Sequence, residues 1–327
     1  MTVQKEAITK VLITDGLAKE GLELFKHYSQ FYIDLRKSIS SQDLAKIISL
    51  YDCVVIRSAT TLTRELIELG TSLKLIVRAG AGVDNIDVKV ATERKIPVMN
   101  TATANSLAAA EQTISLLFAM FRMIPQSMIS LRENKWDRES FKGHEVTGKI
   151  LGILGLGNIG KIVAEKALGL GMKVIGYDPA VKSLSQLPFQ ISKNDENFKL
   201  AQTLDEALNH SHVITIHIPK TKGYLICSDQ ISKMKDKAFL INCSRGGIVD
   251  EKAVIAALDQ GKLSGAAFDV YEKEPPQFPN PLFQHSKIIC TPHLGASTFE
   301  AQERVAQVAA EQMIKFFVKG ERAGIIN

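Results

Sequence analysis

Residues 151–161 read LGILGLGNIGK, and residues 173–178 read KVIGYD. Gly155, Gly157 and Gly160 stand in GxGxxG spacing. Glycines also make plain turns, so the motif takes its meaning from context. A continuous apolar run precedes it, a helix-like segment (IGKIVAEKALGLG) follows, and the next strand-like run ends in Asp178, eighteen residues beyond Gly160. That is the pattern of a dinucleotide-binding βαβ unit, in which an acid lies about 20 residues beyond the glycines. Gly155 would allow the tight turn, Gly157 the approach of backbone to a pyrophosphate, and Gly160 the contact of helix with strand. The helix N-terminus adds unpaired N–H groups and the positive end of its dipole. Asp178 is expected to accept hydrogen bonds from the adenosine ribose and to repel a 2′-phosphate, which favours NAD over NADP.

Working outward, short apolar strands alternate with amphipathic segments along most of the 327 residues, the mark of a parallel α/β sheet covered by helices. KVLIT, QFYID, CVVIR, LKLIV and PVMN read as a first set of strands, with LAKEGLELF and SQDLAKIISL as helices between them. One long helix is expected from about Asn105 to Arg132. A second strand set runs through KILGIL, KVIGYD, HVITIHI, AFLIN, GAAFDV and KIICTP. SLSQLPFQISKNDENFKL is polar and weakly patterned and reads as an irregular excursion. The tail from Ser297 reads as an amphipathic helix with Ser297 as its cap, ending near Gly320.

Bulk properties narrow the function. A hydrophobic content of 45% with 23% charged residues describes an ordinary globular chain. No apolar run approaches the roughly 18 residues that span a bilayer, and the first residues carry no secretory h-region, so a cytoplasmic protein with no membrane partner is expected. Net charge is +5, without a basic stripe interleaved with aromatics, so no nucleic-acid partner is expected. The four cysteines are scattered, without CxxC pairing; neither a metal site nor a disulfide scaffold is expected.

Downstream of the glycine motif, Arg245 follows AFLINCS, Glu274 follows GAAFDVYEK, and His293 follows KIICTP. In doubly wound sheets ligands bind outside the C-terminal ends of strands, so these three can converge although 29 and 19 residues separate them in sequence. Hydride transfer from a carbinol carbon needs a group to exchange the hydroxyl proton, and histidine titrates near working pH. A carboxylate beside it stabilises the imidazolium. An arginine can hold a substrate carboxylate in a two-pronged grip.

The ordered motifs GLGNIG, YDP, NCSRGGIVDE, FDVYEKEPP and TPHLGAST, with IRSATTLT, LIVRAGAGVDNID, NTATANSLAAAEQT and NKWDRESFKG upstream, resemble the D-isomer-specific 2-hydroxyacid dehydrogenases over nearly the whole chain. The resemblance implies a flavodoxin-like substrate lobe (1–100 with 296–327), an inserted Rossmann-type doubly wound lobe (101–295) and a cleft between them. It implies Arg245, Glu274 and His293 as the catalytic set. Asn158, Ile159, His217, Pro219, Cys243, Asp269 and Gly295 would line the dinucleotide with the three glycines and Asp178. Arg57, Ser58, Arg78, Ala79, Gly80, Asn105 and Arg138 would bind substrate, Arg138 reaching a phosphate across a dimer contact. The substrate would be a small anionic 2-hydroxy or 2-keto acid, and the branch most resembled acts on 3-phospho-D-glycerate. Other branches reduce glyoxylate or hydroxypyruvate, and NAD-sensing corepressors of the same fold keep the Arg, Glu and His. The family also implies a homodimer or homotetramer. As the chain stops at GERAGIIN, no C-terminal regulatory domain is expected.

Overall fold

The computed structural model describes residues 8–183 and 196–327. The chain divides into two compact units, Met1–Asn105 with Ser297–Asn327, and Ser106–Ala296.

In the first unit five strands, β1 (Thr9–Ile13), β2 (Phe31–Leu35), β3 (Cys53–Ile56), β4 (Leu75–Arg78) and β5 (Val98–Asn100), form one parallel sheet in the order β2-β1-β3-β4-β5. This is the flavodoxin-like order. The helices between them are α1 (Lys19–Phe25), α2 (Ser41–Ile47), α3 (Arg64–Leu69) and α4 (Val88–Glu93). Helix α2 starts where Ser40 accepts a hydrogen bond from the Asp43 N–H, which satisfies one of the free donors at a helix start. The CVVI run of β3 is buried at every position, as expected of a strand covered on both faces.

The second unit opens on α5 (Ser106–Phe121) and α6 (Ile124–Arg132), bent by 59° at the break between them. The single helix expected from Asn105 to Arg132 is therefore two. Met123 adopts a left-handed conformation, φ 51°, and Pro125 falls in the first turn of α6, where its missing N–H costs nothing. Seven strands follow with their helices: β6 (Ile150–Leu154), α7 (Asn158–Gly169), β7 (Lys173–Tyr177), β8 (Phe198–Leu200), α8 (Leu204–His210), β9 (Val213–Ile216), α9 (Ser228–Lys233), β10 (Ala238–Asn242), α10 (Glu251–Asp259), β11 (Leu263–Phe268), α11 (Pro281–Gln284) and β12 (Ile288–Cys290). They form a parallel sheet ordered β12-β11-β10-β9-β6-β7-β8. Counted from β6, this is the doubly wound Rossmann order with one strand added beyond β11. The stretch read as irregular ends in a strand, β8, pairing with β7; most of the rest of it lies outside the described residues.

The last helix, α12 (Phe299–Lys319), belongs to the first unit and buries Val305, Ala309, Met313 and Ile314 in the core that includes β1, β3 and β4. Its cap is Thr298, which accepts from the Ala301 N–H, rather than Ser297, and it ends at Gly320 with φ 67°. Among the described residues no single helix is long and apolar enough to cross a membrane.

Candidate active site and dinucleotide site

Three adjacent strands carry the candidate catalytic residues. Asn242, Phe268 and Cys290, the last residues of β10, β11 and β12, are in register. The loops that follow therefore leave the sheet at one level, side by side. Arg245 stands on the first loop, Glu274 on the second, His293 on the third.

The structure brings the last two into contact. His293 Nδ1 lies 2.6 Å from Glu274 Oε2, and the Tyr271 N–H donates to Glu274 Oε1 at 3.0 Å. Each loop is braced. Asp269, fully buried, accepts from Thr291 Oγ1 at 2.5 Å, from the Leu294 N–H at 2.7 Å and from the Gly295 N–H at 2.8 Å. These bonds straddle His293, whose backbone is left-handed with φ 54°. A non-glycine residue held there by its surroundings is a recurrent mark of functional sites. The Asn242 amide donates to the Arg245 carbonyl at 3.0 Å, and the Arg245 guanidinium donates to the Ser244 carbonyl at 2.8 Å. Gly246 closes the packing, since a Cβ there would lie 1.6 Å from the Tyr271 carbonyl oxygen.

The electrostatics agree with the geometry. The hydrogen bond to Glu274 raises the His293 pKa above its ordinary value against the opposing effect of burial. Burial alone would raise Glu274, but the bonds from His293 and the Tyr271 N–H, with the charge of Arg245, hold it below the usual carboxylate range. Both shifts favour the imidazolium–carboxylate form. With Nδ1 committed to Glu274, Nε2 is the nitrogen left to exchange a proton.

A second group of residues surrounds the start of α7, at the point where the strand order reverses between β6 and β9. Gly155 has φ 97°, and Gly157 caps α7. Gly160 is required by contact, because a Cβ on it would lie 1.9 Å from the Gly155 carbonyl oxygen. A Cβ on Gly157 would meet nothing within 4 Å, so open space fronts the helix start. Asp178 Oδ2 accepts from the Leu156 N–H at 2.9 Å and Oδ1 from the Ala180 N–H at 2.9 Å, tying the end of β7 to the glycine turn. After β9, the His217 ring hydrogen-bonds Thr215 Oγ1 through Nε2 at 3.0 Å, and its buried Nδ1 has no hydrogen-bond partner among the described residues. Burial pushes its pKa down to about 3, so it is neutral. Pro219 is exposed. Cys243 is buried in an apolar cluster with Ile241 and Val163, and burial pushes its thiol up to about 12. The open helix start, the acid at the end of β7 and the orphaned His217 nitrogen fit a dinucleotide.

The first unit gathers a different set. Arg57 follows β3 and Arg78 ends β4. The Arg57 guanidinium donates to Gln302 Oε1, and Arg78 donates to Asn85 Oδ1 at 3.2 Å and to the Ala79 carbonyl at 2.8 Å. Ser58 is exposed, Ala79 is buried, and Gly80 has φ 154°. Asn105, the last residue before the second unit, is buried, and its Oδ1 has no hydrogen-bond partner among the described residues. Arg138, in the second unit, begins a short 3-10 turn within a wholly exposed stretch; among the described residues no hydrogen bond or ion pair joins it to the His293 cluster. Sequence reasoning passed over Tyr271 and Thr291 in the cluster, and Asp15 and Asn85 in the first unit. Their contribution comes through hydrogen bonds to residues distant in sequence or through the backbone itself, which residue type alone does not announce.

Residues 114–295 match the family described as the D-isomer specific 2-hydroxyacid dehydrogenase, NAD binding domain. A D-3-phosphoglycerate dehydrogenase of Methanocaldococcus jannaschii is 41% identical over 98% of this chain, which spans 60% of that protein's length. A hydroxypyruvate reductase of Thermotoga maritima is 39% identical over 94% of this chain and 97% of its own. The crystal structure of a glyoxylate reductase from Paecilomyes thermophila superposes with a TM-score of 0.86 at 28% identity, covering 98% of both chains. The match takes in more than half of the chain and the whole of the Arg245, Glu274 and His293 region, and the chain therefore belongs to the D-isomer specific 2-hydroxyacid dehydrogenase family, with residues 114–295 as its NAD-binding domain.

Proposed function

We propose that the chain oxidises 3-phospho-D-glycerate to 3-phosphohydroxypyruvate with NAD, the entry to serine biosynthesis. The observation that carries the reaction type is the His293–Glu274 pair at 2.6 Å beside Arg245, in the domain that bears the glycine turn. Bound NAD supplies the hydride acceptor. His293, through Nε2, takes the hydroxyl proton of the acid as the hydride leaves. Glu274 stabilises the imidazolium that results, and Arg245 holds the carboxylate so that the reacting carbon is fixed. In the reverse direction the same imidazolium is the proton donor. Asp178 selects NAD by its hydrogen bonds to the ribose hydroxyls and its repulsion of a 2′-phosphate.

The phosphorylated substrate rests on the names of the relatives at about 40% identity. Arg57, Arg78 and Arg138 are the cations assigned to it. A second reading, reduction of hydroxypyruvate or glyoxylate, is favoured by the hydroxypyruvate reductase that is 39% identical over 94% of this chain. Assays of NADH formation with 3-phospho-D-glycerate and of NADH consumption with hydroxypyruvate and glyoxylate separate the two. Selective turnover of the phosphorylated acid supports the first reading, and preference for the unphosphorylated keto acids replaces it with the second. If neither occurs while NAD still binds, the chain is an NAD-sensing binding protein instead. A homodimer or homotetramer in the cytoplasm belongs to the same proposal, and sedimentation measures the first part of it.

A further inference from the structure

The first unit's sheet order β2-β1-β3-β4-β5 reverses between β1 and β3, and in such sheets the ligand crevice opens outside the strand ends at the reversal. Two buttresses stand there. Asp15, just past β1, accepts from the Arg57 N–H at 2.6 Å, from the Thr60 N–H at 3.1 Å and from Thr60 Oγ1 at 2.5 Å. Asn85, on the loop after β4, donates through Nδ2 to the Arg57 carbonyl at 2.7 Å and to the Thr60 carbonyl at 2.5 Å. Its Oδ1 accepts from Arg78 Nε at 3.2 Å, and its backbone carbonyl accepts from the Leu62 N–H at 2.8 Å.

Asn85 thus meets both arginines at once, by the backbone of one and the guanidinium of the other. An amide is suited to this place: it has donors for the two carbonyls and an acceptor for the guanidinium. Aspartate would turn a carboxylate toward those carbonyls and add negative charge beside the cations. Alanine would leave two backbone acceptors and Arg78 Nε without this partner.

We infer that Asn85 is a positioning residue for the anionic substrate, fixing the Arg57–Thr60 loop and the Arg78 guanidinium as one preformed anion-binding element. The inference rests on the reading of the chain as a dehydrogenase of a small anionic acid. Preorganisation of cations affects how well the acid is held far more than how fast a held acid reacts.

The test is Asn85→Ala in the intact enzyme, assayed with whichever of 3-phospho-D-glycerate, hydroxypyruvate and glyoxylate the wild type turns over best. The expected result is a KM for that acid raised about tenfold, with kcat changed by less than about threefold and the NADH dissociation constant, from fluorescence titration, unchanged. A loss of general packing would lower the melting temperature without moving KM. An unchanged KM, or a loss confined to kcat, overturns the inference. Choosing the substrate by wild-type preference keeps the two questions apart, because the phosphoglycerate reading stands or falls on the wild type alone. Should Asn85→Ala fail to fold, Asp15→Asn loosens the same loop from the other side and is expected to raise the same KM; an unchanged KM in that variant overturns the inference as well.

Discussion

Both units are parallel sheets with charged residues at the C-terminal ends of their strands, yet the two sets of charges are built differently. In the second unit Arg245 stands beside a histidine held by a carboxylate, His293 on Glu274 at 2.6 Å, and that histidine can lose its charge within the range of working pH. In the first unit the cations are arginines, braced by the neutral amide of Asn85 and by backbone held on Asp15. Guanidinium groups keep their charge across that range. A histidine whose charge can change suits proton transfer, and guanidinium groups, Arg245 included, suit the holding of an anion.

The largest effect expected from this contrast is that of His293→Ala, which should lower kcat by about 10²–10⁴-fold while leaving the NADH dissociation constant unchanged. Steady-state rates within a few-fold of the wild type would remove the proton-transfer role. Arg245→Ala comes next. Loss of a charge-assisted contact to the substrate carboxylate, worth about 1.5–3 kcal/mol, should cost about 10–150-fold in kcat/KM, and a retained efficiency would mean that the carboxylate is held elsewhere. Asp178→Ala tests the cofactor side: the ratio of NAD to NADP efficiency should fall by about tenfold or more, and a ratio that does not move assigns the choice to other residues. Arg57→Ala sharpens the contrast, since it should raise KM for a phosphorylated acid far more than for glyoxylate and leave the pH profile where it was. Equal effects on both acids would leave no argument for a phosphate.

Much of this was legible in the chain. GLGNIG with Asp178 announced the βαβ unit because the turn, the helix start and the acid sit close together in sequence, and runs such as AFLIN announced buried strands because burial on both faces leaves no polar position. What was missed depended on conformation or on contacts distant in sequence. The helix after Asn105 breaks at Met123, although FRMIPQS contained the sign: a proline disfavours helical backbone in the residue before it and suits a first turn. Asp269 also holds the loop of His293, through the Thr291 hydroxyl on one side and the Leu294 and Gly295 N–H groups on the other, the Leu294 contact spanning 25 residues. Asn85 sat unremarked in GVDNID because an asparagine in a loop is usually a turn residue, and only the fold brings the Arg57 carbonyl to it.

Whether Glu274 sets the proton affinity of His293 is read from the pH dependence of kcat/KM for oxidation in the wild type and in Glu274→Gln. Oxidation needs the neutral imidazole, so its rate rises as pH passes the His293 pKa, which the carboxylate raises. Removing the carboxylate's charge should move that rise to lower pH by about one unit, and the fall in the rate of keto-acid reduction should move with it. Profiles that rise at the same pH in both proteins would contradict the account.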